Sequence, residues 1–299
     1  MASFAKASTQ AQRAINHVIG ISKPRHGAND EKVHSVSTAN AYREVLEKVA
    51  EWDKANGGTG LKNINDARAE AYLVDRAEYV TQKTLDRDRQ AMKMLPNVNS
   101  PERIKSEVIN TGLATQSRAY TPEQVAHLVN HQQPHNALAT EIAYEAGLRA
   151  HELFTIKPIA EQPISTHRTW TDERFTGREG VSYSVIGKGG LIREVKLSQE
   201  LSNRLEQTRL LDPKAVIDRK INYTKIYDIG AGKNWSVSYS KASKREFGWT
   251  TGAHGLRHSY AQERMKEIQS LGHTYQSCLE IVSQELGHFL AEITETYLR

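Results

Sequence analysis

The sequence lacks the features that mark secreted, membrane-spanning or disulfide-stabilised proteins. Cys278 is the single cysteine among 299 residues, which excludes an internal disulfide and a cysteine-rich zinc finger. No stretch approaches the roughly 18 apolar residues that a membrane helix needs. The N-terminus has no apolar core of the kind found in signal peptides. We therefore expect a cytoplasmic protein with no membrane partner.

A strong excess of one charge is also missing. The 40 basic and 35 acidic side chains give a net charge of +5 and a pI of about 9.1. Residues 1–117 carry 17 basic and 14 acidic side chains, and residues 118–299 carry 23 and 21. This balance permits a nucleic-acid partner without requiring one, so a DNA-binding face must arise from the spatial sorting of charges. Composition alone leaves the function open.

The first third of the chain is predicted to be helical. Apolar side chains recur at helical spacing in four stretches, residues 4–19, 38–55, 65–77 and 81–95. Asn65-Asp66 could cap the third of these helices. We interpret residues 36–110 as a compact bundle of about four helices, whose many charged positions are typical of a solvated surface. Residues 111–118 are polar and lack apolar periodicity, which favours a linker. The predicted domains are therefore residues 1–113 and 119–299.

The second part of the chain mixes helical and strand patterns. Thr121 and Pro122 have the order expected at the start of a helix. Residues 136–156 are predicted to be helical and to carry Arg149. Residues 181–197 alternate around a glycine-rich turn, which predicts a β-hairpin with Lys188 at its tip. A further helix is expected over residues 198–211, and the polar region 218–249 gives no clear prediction.

Six side chains occur in an order that suits the attack of a phenol on a phosphodiester. They are Arg149, Lys188, His254, Arg257, His288 and Tyr297. Guanidinium groups match the charge that develops on the non-bridging oxygens, and a positioned acid would protonate the leaving 5′-oxygen. A covalent link to the enzyme would conserve the bond energy for rejoining without ATP. A phenol is protonated at neutral pH, so its attack needs cationic neighbours or a base.

Each residue taken singly has a simpler interpretation. Arg149 and Glu152 stand three residues apart and could form an ordinary ion pair on a helix. Lys188 could be a solvated turn residue. His254 and His258 could bind zinc as an i, i+4 pair, although no acidic or cysteine partner stands at a recognised spacing. The conjunction of all six positions is what favours a single site.

The local sequences around these positions resemble the tyrosine recombinase (phage integrase) family. The matching motifs are Ala146-Gly-Leu-Arg149-Ala-His-Glu152-Leu153, Gly187-Lys188-Gly189, His254-Gly-Leu-Arg257-His258 and Leu286-Gly-His288, with Tyr297 nine residues after His288. The resemblance covers residues 120–299 well and the preceding helices only in outline. A second Leu-Gly-His string ends at His273, but nine residues beyond it stands Val282. The 31 residues from Arg257 to His288 (288 − 257) are more than the family usually has.

The resemblance implies a fold, an activity and a role for each residue. The fold would be mainly α, with an N-terminal helical core-binding (SAM-like) domain and an α+β catalytic domain that holds a small antiparallel sheet, as in tyrosine recombinases and type IB topoisomerases. Tyr297 would form a 3′-phosphotyrosine and Lys188 would act as general acid. The phosphate would be held by Arg149, Arg257, His254 and His288. Glu152 and His258 would be supporting residues.

The resemblance also implies partners. The substrate would be double-stranded DNA clamped between the two domains, and four protomers would assemble on two DNA sites, with accessory DNA-bending or directionality factors as possible partners. No cofactor or metal is implied. Because two residues follow Tyr297, we expect a monomer in free solution that assembles on DNA. The alternatives are a topoisomerase-like enzyme that relaxes DNA, a catalytically silent DNA-binding protein of the same fold, and a metal-dependent hydrolase.

Overall fold

The computed structural model describes residues 5–20, 32–108 and 117–298. The chain divides into two compact units, Met1–Leu113 and Ala114–Arg299, and each has its own buried apolar core. Most of the linker predicted over residues 111–118 lies outside the described residues. No helix within the three described ranges is both long and apolar enough to cross a membrane.

The regular elements in the described part of the first unit are helices. Its α-helices are α1 (Ala7–Val18), α2 (Val36–Ala55), α3 (Asp66–Ala77) and α4 (Gln82–Met92). The Asn65 side chain accepts a hydrogen bond from the Arg68 amide at 2.9 Å, so α3 starts where its cap was predicted. Residues 36–108 hold three of these helices and not about four, because the chain after Met92 packs Leu95 and Val98 into the core without a further α-helix.

Two acidic side chains of this unit lie in the interior. Asp53 is 2% exposed and accepts a hydrogen bond from Arg68 at 2.8 Å, and Asp88 is 0% exposed and accepts one from Arg76 at 3.0 Å. A buried carboxylate needs such a partner, because desolvation of an unpaired charge is expensive. The interpretation of the charged helical positions as solvated surface is therefore wrong for Asp53 and Asp88.

The second unit combines helices with two small antiparallel sheets. Its α-helices are α5 (Pro122–Asn130), α6 (Pro134–Glu145), α7 (Gln199–Glu206), α8 (Gly232–Phe247), α9 (Gly255–Ser270), α10 (Tyr275–Glu285) and α11 (Ala291–Glu295). Its strands are β1 (Lys157–Pro158), β2 (Val181–Ile186), β3 (Ile192–Leu197), β4 (Arg209–Asp218) and β5 (Ile221–Tyr227). The prediction of a mainly α fold with a small antiparallel sheet is confirmed.

The hairpin predicted around Lys188 is present. β2 and β3 pair in antiparallel register from Val181 opposite Leu197 to Ile186 opposite Ile192, and β1 adds a short third strand beside β2. Gly189 and Gly190 have φ angles of +79° and +83°, which glycine adopts without strain. The tip therefore turns tightly and presents Lys188 as an exposed side chain.

Two segments differ from the sequence prediction. The helix expected over residues 198–211 ends at Glu206, and residues 209–227 form a second hairpin from β4 and β5. This hairpin leaves Leu211 and Ile217 exposed at 102% and 75%. Apolar residues of this hairpin therefore point to solvent as well as inward. The alternation of apolar and polar residues that predicts a strand is consequently weak here.

The helix predicted over residues 136–156 also ends early, at Glu145. Gly147 has a φ of +59°, and an added Cβ there would lie 2.8 Å from the Tyr260 ring. Only glycine fits this left-handed, crowded position, so the helix cannot continue through it. Arg149 consequently lies in a turn, followed by a 3-10 turn over Glu152–Phe154.

Candidate active site

A cleft of about 450 Å³ opens in the second unit. Its polar lining consists of Arg149, Lys188, Arg193, His288 and Tyr297. Four of these are among the six predicted catalytic residues, and they come from four different parts of the chain. The fold therefore brings together residues that are as far as 148 positions apart in the sequence (297 − 149).

Arg149 uses its guanidinium in two directions. Nη1 donates to Glu152 Oε1 at 2.7 Å, and the Arg149 amide donates to Glu152 Oε2 at 2.8 Å. Nη2 lies 3.5 Å from His288 Nε2, at the cleft. The simple ion pair considered from the sequence therefore exists, and it also holds the arginine with one edge toward the cleft.

Glu152 is the buried centre of an arginine cluster. It is 0% exposed, Arg193 Nη2 donates to its Oε2 at 2.8 Å, and Arg257 Nη1 lies 3.9 Å away. Burial alone would raise the pKa of Glu152, but Arg193, Arg257 and Arg149 together hold it below its ordinary value. The carboxylate stays ionised and positions the guanidinium groups around it.

Arg193 is a member of this cluster that the sequence interpretation missed. It is 1% exposed and lies on β3 in line with the buried Val195 and Leu197. Its Nη1 donates to the Glu285 carbonyl at 2.7 Å, at the end of α10. The signal was present, because strand alternation places Arg193 on the inward face with those two apolar residues.

Arg257 lies in the first turn of α9 and is 0% exposed. It donates to the carbonyls of Gly147 and Leu286, and its Nη2 lies 3.2 Å from His288 Nε2. Burial and then the Arg149 charge lower the pKa of Arg257 to about 9, so the guanidinium remains charged at neutral pH. Its Nε has no hydrogen-bond partner among the described residues.

Tyr297 is fixed at its side chain and at its backbone. Its hydroxyl lies 3.1 Å from His288 Nε2, and its carbonyl accepts hydrogen bonds from His258 Nδ1 and Gln262 Nε2, each at 3.1 Å. The ring is 6% exposed and packs against the cluster formed by α9 and α10. A carbonyl can only accept, so neutral His258 carries its proton on Nδ1.

The same reasoning assigns the tautomer of His288. Its Nε2 faces the guanidinium nitrogens of Arg149 and Arg257, which can only donate. Nε2 is therefore the acceptor nitrogen, and the Tyr297 hydroxyl donates to it. An unprotonated ring nitrogen therefore lies beside the Tyr297 hydroxyl.

All three histidines of the site are neutral at pH 7. Burial and the arginine charges lower the pKa of His288 to about 3, and burial followed by the charge of Arg118 lowers that of His258 to about 4. His254 precedes α9 with its ring centroid 5.6 Å from that of Tyr297, and partial desolvation and Arg257 lower its pKa to about 4. An anion bound among these rings would raise the pKa of each.

Four predicted residues lie outside the cleft lining, namely the buried Glu152 already described and the three that follow. Arg257 is buried, with its guanidinium carbon 5.6 Å from the centroid of the Tyr297 ring, and His254 packs near the same ring. His258 is also buried and supports the Tyr297 backbone. Within the described ranges, no third histidine, cysteine or carboxylate completes a metal-ligand set with His254 and His258.

A second buried network, which the sequence interpretation missed, anchors the end of α10. The Glu285 carboxylate accepts hydrogen bonds from Arg264 Nη2 at 2.8 Å and from the Tyr260 hydroxyl at 2.7 Å. It stands three residues before His288. His273, the residue of the second Leu-Gly-His string, lies in the turn between α9 and α10 and does not line the cleft.

We predict that Glu152→Gln destabilises the protein by about 3–5 kcal/mol, because it leaves three arginines without their buried counter-charge. Urea unfolding at pH 7 measures the difference in the free energy of unfolding between this variant and the parent. Glu161→Gln is the matched control, since Glu161 pairs with Arg209 at 2.6 Å but both side chains are exposed, 43% and 39%. The control should cost less than about 1 kcal/mol. Equal stabilities of the two variants would contradict the counter-charge role.

We also predict that His258 makes the free energy of unfolding fall as the pH is lowered from 7 to 5. Its pKa is about 4 in the folded protein and about 6.5 in an unfolded chain. The unfolded state therefore binds the proton first, and stability is lost as pH falls below about 6.5, by about 1–2 kcal/mol at pH 5. Urea unfolding of His258→Asn, which keeps a donor for the Tyr297 carbonyl, should show a flatter pH dependence than the parent. If the free energy of unfolding depends on pH equally in both proteins, His258 is not the source of the loss of stability.

No family model matches the sequence, and no curated protein matches it. Among solved structures, the XerH site-specific recombinase bound to palindromic difH substrate, in a post-cleavage complex, aligns with a TM-score of 0.57 and 15% identity over 99% of this chain and 94% of that chain. A lambda integrase (75–356) dimer bound to a COC′ core site aligns with a TM-score of 0.54 and 14% identity over 97% and 94%. The chain therefore has the fold of the tyrosine recombinases, and the resemblance drawn from its motifs is confirmed at the level of fold.

Proposed function

We propose that this protein is a site-specific DNA recombinase that breaks and rejoins duplex DNA through a 3′-phosphotyrosine at Tyr297. The observation that carries the proposal is the position of the Tyr297 hydroxyl, 3.1 Å from His288 Nε2, which is itself 3.2 Å from Arg257 and 3.5 Å from Arg149. A phenol, an acceptor nitrogen and two guanidinium groups are the components that attack on a phosphodiester needs. The DNA-bound recombinases of the same fold support the choice of substrate.

The scissile phosphate would bind in the cleft beside Arg149 and His288. Arg257 lies deeper, fully buried with its guanidinium carbon 5.6 Å from the centroid of the Tyr297 ring. We expect the Tyr297 ring to shift as the phosphate reaches Arg257. The unpartnered Arg257 Nε and the neutral His254 ring are then available to the non-bridging oxygens. Contacts of this kind with phosphate make binding salt-sensitive.

The strand cleavage is a balanced transfer at phosphorus. The Tyr297 oxygen forms a bond to phosphorus while its proton passes to His288 Nε2, and the bond from phosphorus to the 5′-oxygen breaks. Lys188 donates a proton to that leaving oxygen. Rejoining reverses each step with the 5′-hydroxyl of another strand, so the chemistry needs no ATP. The side chains supply every proton and charge in this scheme, and we assign no metal or cofactor to it.

Both units would contribute to DNA binding. Residues 1–113 would serve as the helical core-binding domain and residues 119–299 as the catalytic domain, and each would contact the duplex. Exchange of strands between two sites requires four active tyrosines, which favours a homotetramer assembled on two DNA duplexes. A DNA substrate also fits the cytoplasmic location expected from the N-terminal sequence. Accessory DNA-bending proteins would act at the level of this assembly.

The test is a covalent capture experiment in which the protein itself selects the target site from a complex DNA mixture. Fragmented DNA from the source organism is incubated with the protein, the mixture is denatured, and DNA that stays attached to protein is sequenced. We expect a recurrent sequence, joined through its 3′-phosphate, in the presence of EDTA. Reversible binding without an adduct would indicate the silent DNA-binding alternative, and relaxation of supercoiled DNA without joining of two sites would indicate a topoisomerase-like enzyme.

A further inference from the structure

A group of metal-ligating side chains lies outside the cleft and shares no residue with it. His127 belongs to the last turn of α5, His131 follows that helix as its C-cap, and Glu246 stands near the end of α8. The ligand atoms of these three residues all lie within 4.8 Å of one another. The chemistry described for the cleft gives this trio no role.

The spacing of the ligand atoms is already close to that of an occupied site. His127 Nε2 lies 3.2 Å from Glu246 Oε2, and His131 Nε2 lies 3.7 Å from the same oxygen. Zinc bonds of about 2.0–2.2 Å in tetrahedral geometry place neighbouring ligand atoms about 3.3–3.5 Å apart. Only small adjustments would therefore bring the three atoms onto one ion.

The surrounding contacts orient the ligands as metal sites require. His131 Nδ1 lies 2.8 Å from the His127 carbonyl, which can only accept, so the proton stays on Nδ1 and Nε2 keeps its lone pair. Arg245 Nε donates to Glu246 Oε1 at 2.7 Å, and Arg245 Nη2 donates to the His131 carbonyl at 3.1 Å. The carboxylate is thereby turned so that Oε2 faces the two imidazoles.

We propose that His127, His131 and Glu246 form a binding site for a divalent transition-metal ion of the zinc class. Two imidazoles and one carboxylate form a donor set that suits Zn²⁺ and Co²⁺ and disfavours Mg²⁺ and Ca²⁺. The His127 and His131 side chains are 45% and 44% exposed, so an ion can enter from solvent and a water can fill the fourth position.

The position of the site predicts what the ion does. It ties the C-terminal end of α5 to that of α8, and α8 leads through residues 248–253 to His254 at the start of α9. Metal binding therefore stabilises the packing of α5 on α8, and the metal site contributes no side chain to the cleft. Because the ion binds the folded state, a hundredfold excess over its dissociation constant should raise the melting temperature by about 5–10 °C.

The test uses the full chain, freed of metal with EDTA and then desalted. Zn²⁺ binding is measured by competition with a chromogenic chelator, and Co²⁺ binding by the visible absorption of its four-coordinate complex. We expect one equivalent of each ion. His131→Gln and Glu246→Gln should each weaken Zn²⁺ binding at least about tenfold and remove the Co²⁺ absorption, with the melting temperature of the metal-free protein nearly unchanged.

The matched control is His135→Gln, which removes an exposed histidine of α6 from outside the trio. Its Zn²⁺ affinity, Co²⁺ absorption and metal-dependent rise in melting temperature should equal those of the parent. Binding of less than one equivalent, or equal affinities in the control and the two ligand variants, would overturn the proposal. The trio would then be a surface ion pair of Glu246 with two histidines.

Discussion

Tyr297→Phe should abolish the covalent protein–DNA adduct while changing the free energy of unfolding by no more than about 1 kcal/mol. The substitution removes one oxygen atom, whose hydrogen bond is the 3.1 Å contact with His288 Nε2. The ring itself stays packed against the cluster of α9 and α10, where Tyr297 is 6% exposed. Folding and salt-dependent DNA binding should therefore survive the loss of the nucleophile.

The measurement uses a nicked duplex of the captured sequence. After cleavage, a short strand fragment diffuses away, so rejoining cannot occur and the covalent adduct is trapped. Denaturing gels then report the covalent complex, and peptide mapping of the parent adduct should place the DNA on Tyr297. Tyr275→Phe is the matched control, because Tyr275 is 51% exposed on α10 and outside the cleft lining. It should form the adduct at the parent rate.

A competing nucleophile would be visible in the same experiment. Tyr260 is buried, and burial followed by the neighbouring Glu285 carboxylate raises its pKa. Its hydroxyl donates to Glu285 at 2.7 Å and is unavailable for attack on DNA. An adduct that persists in Tyr297→Phe, or that maps to Tyr260 or Tyr275, would refute the role of Tyr297.

The sequence was sufficient to predict those elements whose structure depends on residues close together in the chain. The alternation of residues 181–197 predicted the β2–β3 hairpin, and Asn65 and Thr121 predicted the starts of α3 and α5. Thr121 caps α5 in a reciprocal arrangement with Gln124. Such caps and turns are decided by contacts within a few residues, so a single sequence contains the information they need.

Contacts between distant residues decided the points that the sequence left open. The helix through residue 156 looked continuous, but Gly147 has to accommodate the Tyr260 ring from α9 and takes a left-handed conformation instead. The cluster around Glu152 likewise depends on Arg193 and Arg257, which stand 41 and 105 positions later (193 − 152 and 257 − 152). A motif marks Glu152 and Arg257, whereas Arg193 could be found only by following the strand alternation inward.

In the candidate site, too, some features could be predicted from local sequence and others depend on contacts between distant residues. Motif spacing selected the six residues, but it could not show that Arg257 is buried near the Tyr297 ring or that His288 Nε2 lies 3.1 Å from the Tyr297 hydroxyl. Those features depend on the packing of the chain after α10 against α9, with His258 and Gln262 holding the Tyr297 carbonyl. The catalytic roles are thus a proposal that combines motif, geometry and fold.

Lys188→Ala should slow cleavage of ordinary DNA by about 10²–10⁴-fold, the range expected for the loss of a positioned general acid. Lys188 lines the cleft together with Arg149, His288 and Tyr297, and it is exposed at the hairpin tip. A Cβ added at Gly189 or Gly190 would have no neighbour within 4 Å, so that side of the tip is unpacked. We expect the tip to shift toward a bound 5′-oxygen. DNA binding should change little, because one exposed charge is lost.

The measurement that identifies the role is rescue by a substrate with sulfur at the 5′-bridging position. A thiolate leaves without protonation, so Lys188→Ala should cleave this substrate within about tenfold of the parent rate. Arg149→Ala should stay slow on both substrates, because it removes stabilisation of the phosphate and not a proton. Lys220→Ala, at the tip of the β4–β5 hairpin, controls for the loss of a hairpin charge and should cleave both substrates normally. If Lys188→Ala binds DNA but is equally slow on the sulfur substrate, Lys188 is not the general acid, and its effect comes from holding the phosphate.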